Sequence, residues 1–366
     1  MNRIVPSWLP PVLLVVLVAL TFLVLPPRVS SDSTTYLEAM SVVITGHAPE
    51  GFRPNRILTT IGGLEMITFG GLFTGSILSS WYTVNALFYF FGMWIFYLFL
   101  RRFLRDETGW VSLLGMLMLA TNYTTISFGL NYLLDIGGWF FYIAALYFAY
   151  RFMESGRRDY LYWAAFLTGF GGLFKEYALC AAIPVVLSLI YREYKHPKTF
   201  WKRLLMTAIL GVLPLALFYT WVYQSYGYTY ADWFSFNEAR YGLSYGSRAL
   251  EYIKVFGSLF TFLWFLIIPG LYLVLNRGRA LFSSQRLMFL GGVFLSALPV
   301  FFWPAITQRV YFIPVIFGAL LASLFLKHEE RRLWFYVPVV LLYAIAGFTM
   351  DHYILPAVNI DAFLHL

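Results

Sequence analysis

Long apolar runs alternate along the chain with short polar or basic connections. The first run, Trp8 to Leu25, is long enough to cross a bilayer and is followed directly by Ser31-Asp32-Ser33-Thr34-Thr35-Tyr36-Leu37-Glu38. The pattern predicts about eleven membrane segments, roughly 8–26, 81–100, 110–128, 136–152, 160–174, 177–191, 204–223, 253–275, 287–304, 310–326 and 333–350. Several are shorter than the ~20 residues of a straight crossing, the pair across 160–191 among them. The expected fold is all-α, a polytopic membrane protein forming a single domain over 1–366 with no soluble C-terminal domain. Two connections are long. Residues 27–80 carry a helical pattern (Tyr36 to Ile44), a Gly-His-Ala-Pro turn, and an apolar stretch from Ile57 to Phe73 broken by Gly62-Gly63 and Gly70-Gly71. Helices lying along the membrane interface are expected there. Residues 224–252 are rich in Tyr, Ser and Gly, with Trp233, Phe234 and Phe236. Long loops of this kind carry function more often than not.

Composition removes the soluble alternatives. Of 366 residues, 60% are hydrophobic and only 12% charged, where a soluble domain has about 25% charged. The first run lacks a small-residue cleavage site and is followed by Pro26-Pro27, so it reads as a retained anchor. Cys180 is the sole cysteine, which excludes an intrachain disulfide and a cysteine metal site. Five scattered histidines give no zinc motif. Asn122-Tyr123-Thr124 matches a glycosylation sequon but sits in a membrane segment and reads as chance.

The net charge of +8 is explained by basic inner loops and needs no nucleic acid. With the N-terminus in the cytoplasm, 18 of the 26 Lys and Arg residues, from Arg3 to Arg332, fall on the inner side. The outer face then carries 27–80, 129–135, 175–176, 224–252, 305–309 and 351–366. Eleven of the 18 acids lie there, Asp351 and Asp361 included. Ionisable groups at membrane segments are costly and mark function. Their gathering on one face predicts a site that opens outward from a plasma membrane.

Asp32 is first among the candidates. Asp and Ser favour helix starts, and Thr35-x-x-Glu38 fits a capping box, so Asp32 is either a cap or a reactive group. Tyr36, one turn on, orients a substrate or belongs to an aromatic belt. Arg53 and Arg56, beside Pro54, suit bidentate phosphate contact; pairing with Glu50 or lipid headgroups is the alternative. Asp135 starts the fourth span, where an acid stabilises a helix N-terminus by roughly 0.3–1 kcal/mol. Lys175-Glu176 lies between two apolar runs with no flexible loop, which implies an ion pair or a polar cavity. Arg309 tops the tenth span, either snorkelling to lipid phosphate or converging with Lys175 on a ligand phosphate.

Taken in order, Asp32 with Tyr36, Arg53 with Pro54, Asp135, Lys175 with Glu176, and Arg309 with Tyr311 and Pro314 resemble the polytopic GT-C-type glycosyltransferases. The likeness is to the protein O-mannosyltransferase and aminoarabinose-transferase-like branch. It implies a sugar donor on a polyprenyl phosphate, used at the extracytoplasmic face, with a lipid, glycan or protein acceptor. It also implies that Asp32 is the general base or acceptor positioner. Many relatives have Asp-Glu where this chain has Asp32-Ser33, which leaves Asp135 or Glu38 as the second carboxylate. Lys175, Glu176, Arg309, Arg53 and Tyr36 are then the donor-phosphate set. No cofactor is required by the resemblance, although outward carboxylates could hold a divalent metal. The competing reading is a transporter or flippase of a lipid-linked or anionic solute, using Lys175-Glu176 and Arg309 as a pathway. No inverted repeat or matched pair of broken helices favours it.

Overall fold

A computed structural model describes residues 4–241 and 245–351, without the side chains of 245–247 and 351. Arg3, Asp361 and the rest of the outer tail 352–366 lie outside the described residues, as does the Asp351 side chain. Every regular element among the described residues is helical, as expected. The chain runs α1 (Leu9–Val24), α2 (Ser31–Thr45), α3 (Asn55–Thr74), α4 (Ile77–Phe103), α5 (Trp110–Ala120), α6 (Tyr123–Gly129), α7 (Asp135–Ser155) and α8 (Arg158–Gly172). It continues through α9 (Ala182–Glu193), α10 (Pro197–Tyr226), α11 (Tyr230–Tyr241), α12 (Tyr245–Phe260), α13 (Trp264–Leu281), α14 (Ser284–Ala297), α15 (Phe312–His328) and α16 (Leu333–Asp351).

This is a multi-pass membrane protein, but eleven full-length spans are not what the helices provide. Seven described stretches are long and apolar enough to cross, or eight if the bent pair α5–α6 is one span. Each segment expected from sequence coincides with helix, yet several are short: α1 has 16 residues, α8 15 and α9 12. The α5–α6 run bends by 53° at Thr121–Asn122. There the Asn122 side chain accepts from Thr124 N and donates to Leu259 O (2.9 Å) and the Tyr343 hydroxyl. The sequon asparagine is thus a buried tie between three segments. Helix α3, expected at the interface, is itself among the stretches long and apolar enough to span.

Packing separates a core from a periphery. Helix α7 packs on α4, α8 and α9, and α15 packs on α5, α13 and α14. The apolar window of α15 is 83% buried in protein, against 17% for α10 and 22% for α16. The latter two leave their apolar side chains to lipid, the only apolar solvent available to them. Close helix approach uses glycine. A Cβ on Gly169 would meet Gly211 O at 2.1 Å, and one on Gly270 would meet Leu321 O at 2.1 Å, the small-residue contact typical of membrane helices.

Candidate active site

The site is assembled around the start of α2. Ser30, not Asp32, is the N-cap: its hydroxyl accepts from Ser33 N (3.3 Å) while Ser33 Oγ accepts from Ser30 N (2.9 Å). Of the two readings of Asp32, capping is therefore set aside, and Thr35 with Glu38 does not form the capping box either. Ser33 Oγ also donates to Tyr132 O (2.7 Å), pinning α2 to the 131–134 turn. Asn85 and Trp81 of α4 hold that turn through Leu133 O, at 2.8 and 3.1 Å. With capping left to serines, the Asp32 carboxylate faces two arginines. Arg56 Nη2 stands 2.7 Å from Oδ1 and Arg309 Nη1 2.5 Å from Oδ2.

Lys175 reaches the same space by another route. The chain between α8 and the 3-10 turn Glu176–Ala181 is extended at Lys175. Irregular backbone among spans is tolerated where it is buried in protein or lines a cavity. Lys175 is 5% exposed, and its Nζ lies 3.7 Å from Glu176 Oε2. A Cβ on Gly138 of α7 would fall 2.4 Å from Lys175 Cβ and 3.2 Å from its carbonyl oxygen, so this glycine sets where Lys175 sits. Gly138→Ala is expected to displace the Lys175 backbone and lower both melting temperature and turnover. The paired thermal melt and activity assay checks this; a variant with wild-type values in both would separate Gly138 from the site.

These groups line one polar cavity of about 430 Å³. Of the residues singled out from sequence, Asp32, Arg53, Lys175, Glu176 and Arg309 are on its wall. Tyr36 and Asp135 are not. Tyr36 is fully buried beneath Arg56, whose guanidinium carbon lies 4.5 Å from the ring centroid and whose Nη1 donates to the hydroxyl at 3.3 Å. Asp135 is fully buried with neither carboxylate oxygen hydrogen-bonded, within electrostatic reach of Lys175 and Arg309. Arg53 stacks on Phe236 (4.8 Å to the centroid), whereas Arg56 makes the ion pair.

Arg56 and Glu38, the two further charged candidates from sequence, and one face of α11 complete the wall. Trp233, Phe236, Asn237, Arg240 and Tyr241 follow the i, i+3, i+4, i+7, i+8 spacing of a single helix face, a signal present in the long outer connection. Five cations (Arg53, Arg56, Lys175, Arg240, Arg309) face three acids (Asp32, Glu38, Glu176), so the cavity favours an anionic ligand. No three of His, Cys, Asp and Glu gather into a metal site among the described residues. An apolar groove of about 560 Å³ adjoins the cavity and shares Glu176, Tyr177, Trp303 and Val310 with it. Leu179, Cys180, Ile183, Tyr219, Tyr230, Pro299 and Val300 form the rest of its wall.

Burial alone would raise the Asp32 pKa, but Arg309 and Arg56, with Lys175 beyond them, outweigh it and hold the group at about 2. The sign for stability follows. A carboxyl whose folded pKa is depressed contributes stability above its unfolded value, ~3.9, and loses it as pH falls toward the folded value. The melting-temperature advantage of wild type over Asp32→Asn is therefore expected to be full at pH 6 and to shrink between about pH 4 and 2. A gap independent of pH would contradict this linkage.

Comparison with known proteins places the fold. Residues 66–223 match the family described as dolichyl-phosphate-mannose-protein mannosyltransferase. Two crystal structures of ArnT from Cupriavidus metallidurans are similar, one bound to undecaprenyl phosphate (TM-score 0.60) and one in the apo state (0.61). Identity is 17% in both, over 90% of this chain and 61% of theirs. At that identity the likeness is one of fold, the GT-C fold of membrane glycosyltransferases. The chain spans about 61% of the length of these structures. No curated protein sequence matches it.

Proposed function

We propose that the chain is a membrane glycosyltransferase that moves a sugar from a polyprenyl-phosphate donor to an acceptor hydroxyl at the extracytoplasmic face. The observation that carries this reading is one cavity holding a carboxylate and buried cations, opening into an apolar groove through shared walls. A lipid phosphate needs both: cations for its head and an apolar slot for its chain. The family description names a dolichyl phosphate and the ArnT structure holds undecaprenyl phosphate, each a polyprenyl phosphate.

In this reading the donor phosphate lies between Lys175 and Arg309, with Arg53 toward the mouth. The isoprenoid chain follows the groove past Tyr219 and Tyr230. The acceptor oxygen attacks the anomeric carbon as its proton passes to Asp32. The bond from that carbon to the phosphate oxygen breaks, and polyprenyl phosphate leaves with an additional negative charge that Lys175 and Arg309 stabilise. Direct displacement inverts the anomeric configuration. Asp135, buried within electrostatic reach of the two cations, favours their charged forms. The outward-facing part of α11 meets the lipid, glycan or protein acceptor. Basic inner loops orient the cavity outward, with the N-terminus in the cytoplasm.

A transporter would continue the polar lining across the membrane, but the residue before Lys175, Phe174, packs with Phe88, Phe141 and Phe170. The test is incubation of purified protein reconstituted in lipid vesicles with a panel of polyprenyl-phosphate hexoses and pentoses plus an envelope extract. Consumption of one donor with release of polyprenyl phosphate is expected. Movement of intact donor across a vesicle with no consumption would overturn the reading in favour of transport.

A further inference from the structure

Neither oxygen of the Asp32 carboxylate lacks a cation: Oδ1 has Arg56 and Oδ2 has Arg309. The two arginines are held very differently. The Arg56 side chain is 7% exposed, and three contacts with α2 fix it besides Asp32. Its Nε donates to Thr35 Oγ1 (2.8 Å), its Nη1 donates to the Tyr36 hydroxyl (3.3 Å), and its guanidinium lies over the Tyr36 ring. Thr35, Tyr36 and Asp32 are all on α2, and the Trp233 ring of α11 lies 5.8 Å from the same guanidinium, so Arg56 and Asp32 form one rigid unit. The Arg309 side chain is 25% exposed, and Asp32 is its ion-pair partner among the described residues. It stands on the short 3-10 turn Gln308–Tyr311, after the irregular segment 303–307.

We propose that the two arginines divide the work: Arg56 is a positioning residue that keeps Asp32 aimed, and Arg309 is an exchangeable cation that leaves Asp32 for the donor phosphate. Donor binding thus frees one carboxylate oxygen, and Asp32 takes the acceptor's proton only once the donor is seated. This rests on the donor class proposed above. The exchange is close to balanced, because a sugar phosphodiester offers Arg309 one negative charge in place of another, while Lys175 adds attraction for the phosphate. Asp32 is not abandoned, since Arg56 stays. The depressed Asp32 pKa runs in the same direction: a carboxylate between two guanidiniums is a weak base, and losing one strengthens it. An unloaded site is then also a protected one, with its base occupied.

The exchange makes Asp32 a competitor of the ligand for Arg309, and competition is measurable as coupling. Binding of a polyprenyl monophosphate is titrated in nanodiscs for wild type, Asp32→Asn, Arg309→Gln and the double variant. Asp32→Asn is expected to tighten binding about 5- to 10-fold, roughly 1 kcal/mol. In the Arg309→Gln background the same substitution is expected to change Kd by less than about twofold. An equal gain in both backgrounds would mean plain charge repulsion and would overturn the exchange, as would no gain in wild type.

A second arm does not depend on the Arg309 variant folding. Arg56→Gln is expected to weaken polyprenyl-phosphate binding although Arg56 stays with Asp32, because Asp32 then holds Arg309 harder. Arg56→Lys is expected to restore part of that loss; unchanged binding in Arg56→Gln at an unchanged melting temperature would contradict the division of roles. A wild-type protein that binds no polyprenyl phosphate would instead sink the donor class, and this inference with it.

Discussion

Replacing Asp32 by Asn is expected to lower sugar transfer about 10²- to 10⁴-fold, the usual contribution of a positioned base. Asn keeps the size of the side chain, and its amide oxygen still accepts from one arginine, so α2 retains its Ser30–Ser33 cap and its tie to Tyr132. What is lost is the ability to accept a proton. The deficit is therefore expected in kcat, with donor KM unchanged or lower, the pattern of an interaction made in the transition state. Steady-state kinetics over a range of donor concentrations separates the two. Transfer at wild-type rates would remove Asp32 from the role of base, and a deficit confined to KM would make it a donor ligand.

The second large effect is expected at Lys175. Lys175→Met keeps the unbranched stem in its buried setting but removes the charge facing the cavity. Loss of one such electrostatic stabiliser costs about 10²–10³ in rate. It also strands Glu176, whose Oε2 is buried and makes no hydrogen bond in the structure. Breaking a buried pair from one side destabilises by about 3–5 kcal/mol, much of it the penalty on the remaining charge. The two consequences are separable. Lys175→Met/Glu176→Gln is expected to regain most of the melting temperature while transfer stays low. Recovery of transfer along with stability would mean that Lys175 serves only as the counter-ion of Glu176.

Much of the helical layout was legible because an apolar run in a membrane protein reports its environment directly. Span lengths were less so. The α5–α6 bend depends on Asn122 meeting Leu259 and Tyr343, partners more than a hundred residues away. The short α8 and α9 make sense only once Lys175 between them is seen lining a cavity. Seven charged residues raised from sequence share that cavity because each is a charge too expensive to leave unpartnered in or beside a membrane.

Local sequence could not choose between Arg53, just before α3, and Arg56 in its first turn. Asp32, 24 residues before Arg56, makes that choice by position. Local sequence leaves the choice of cap open for a similar reason. Asp32, Thr35 and Ser30 all have capping chemistry, and the tie from Ser33 to Tyr132 settles which serine pair is used. Composition singles out the aromatic connection, and the spacing from Trp233 to Tyr241 is that of a helix with one inward face.

The most direct measurement is the structure of the protein in nanodiscs with a polyprenyl phosphate bound, determined by cryo-electron microscopy. The account predicts phosphate density within hydrogen-bonding distance of Lys175 and Arg309, Arg309 drawn away from Asp32, and the isoprenoid chain running along the groove beside Tyr219 and Tyr230. Phosphate density on another surface, with the Asp32 cavity empty and the groove unoccupied, would contradict it.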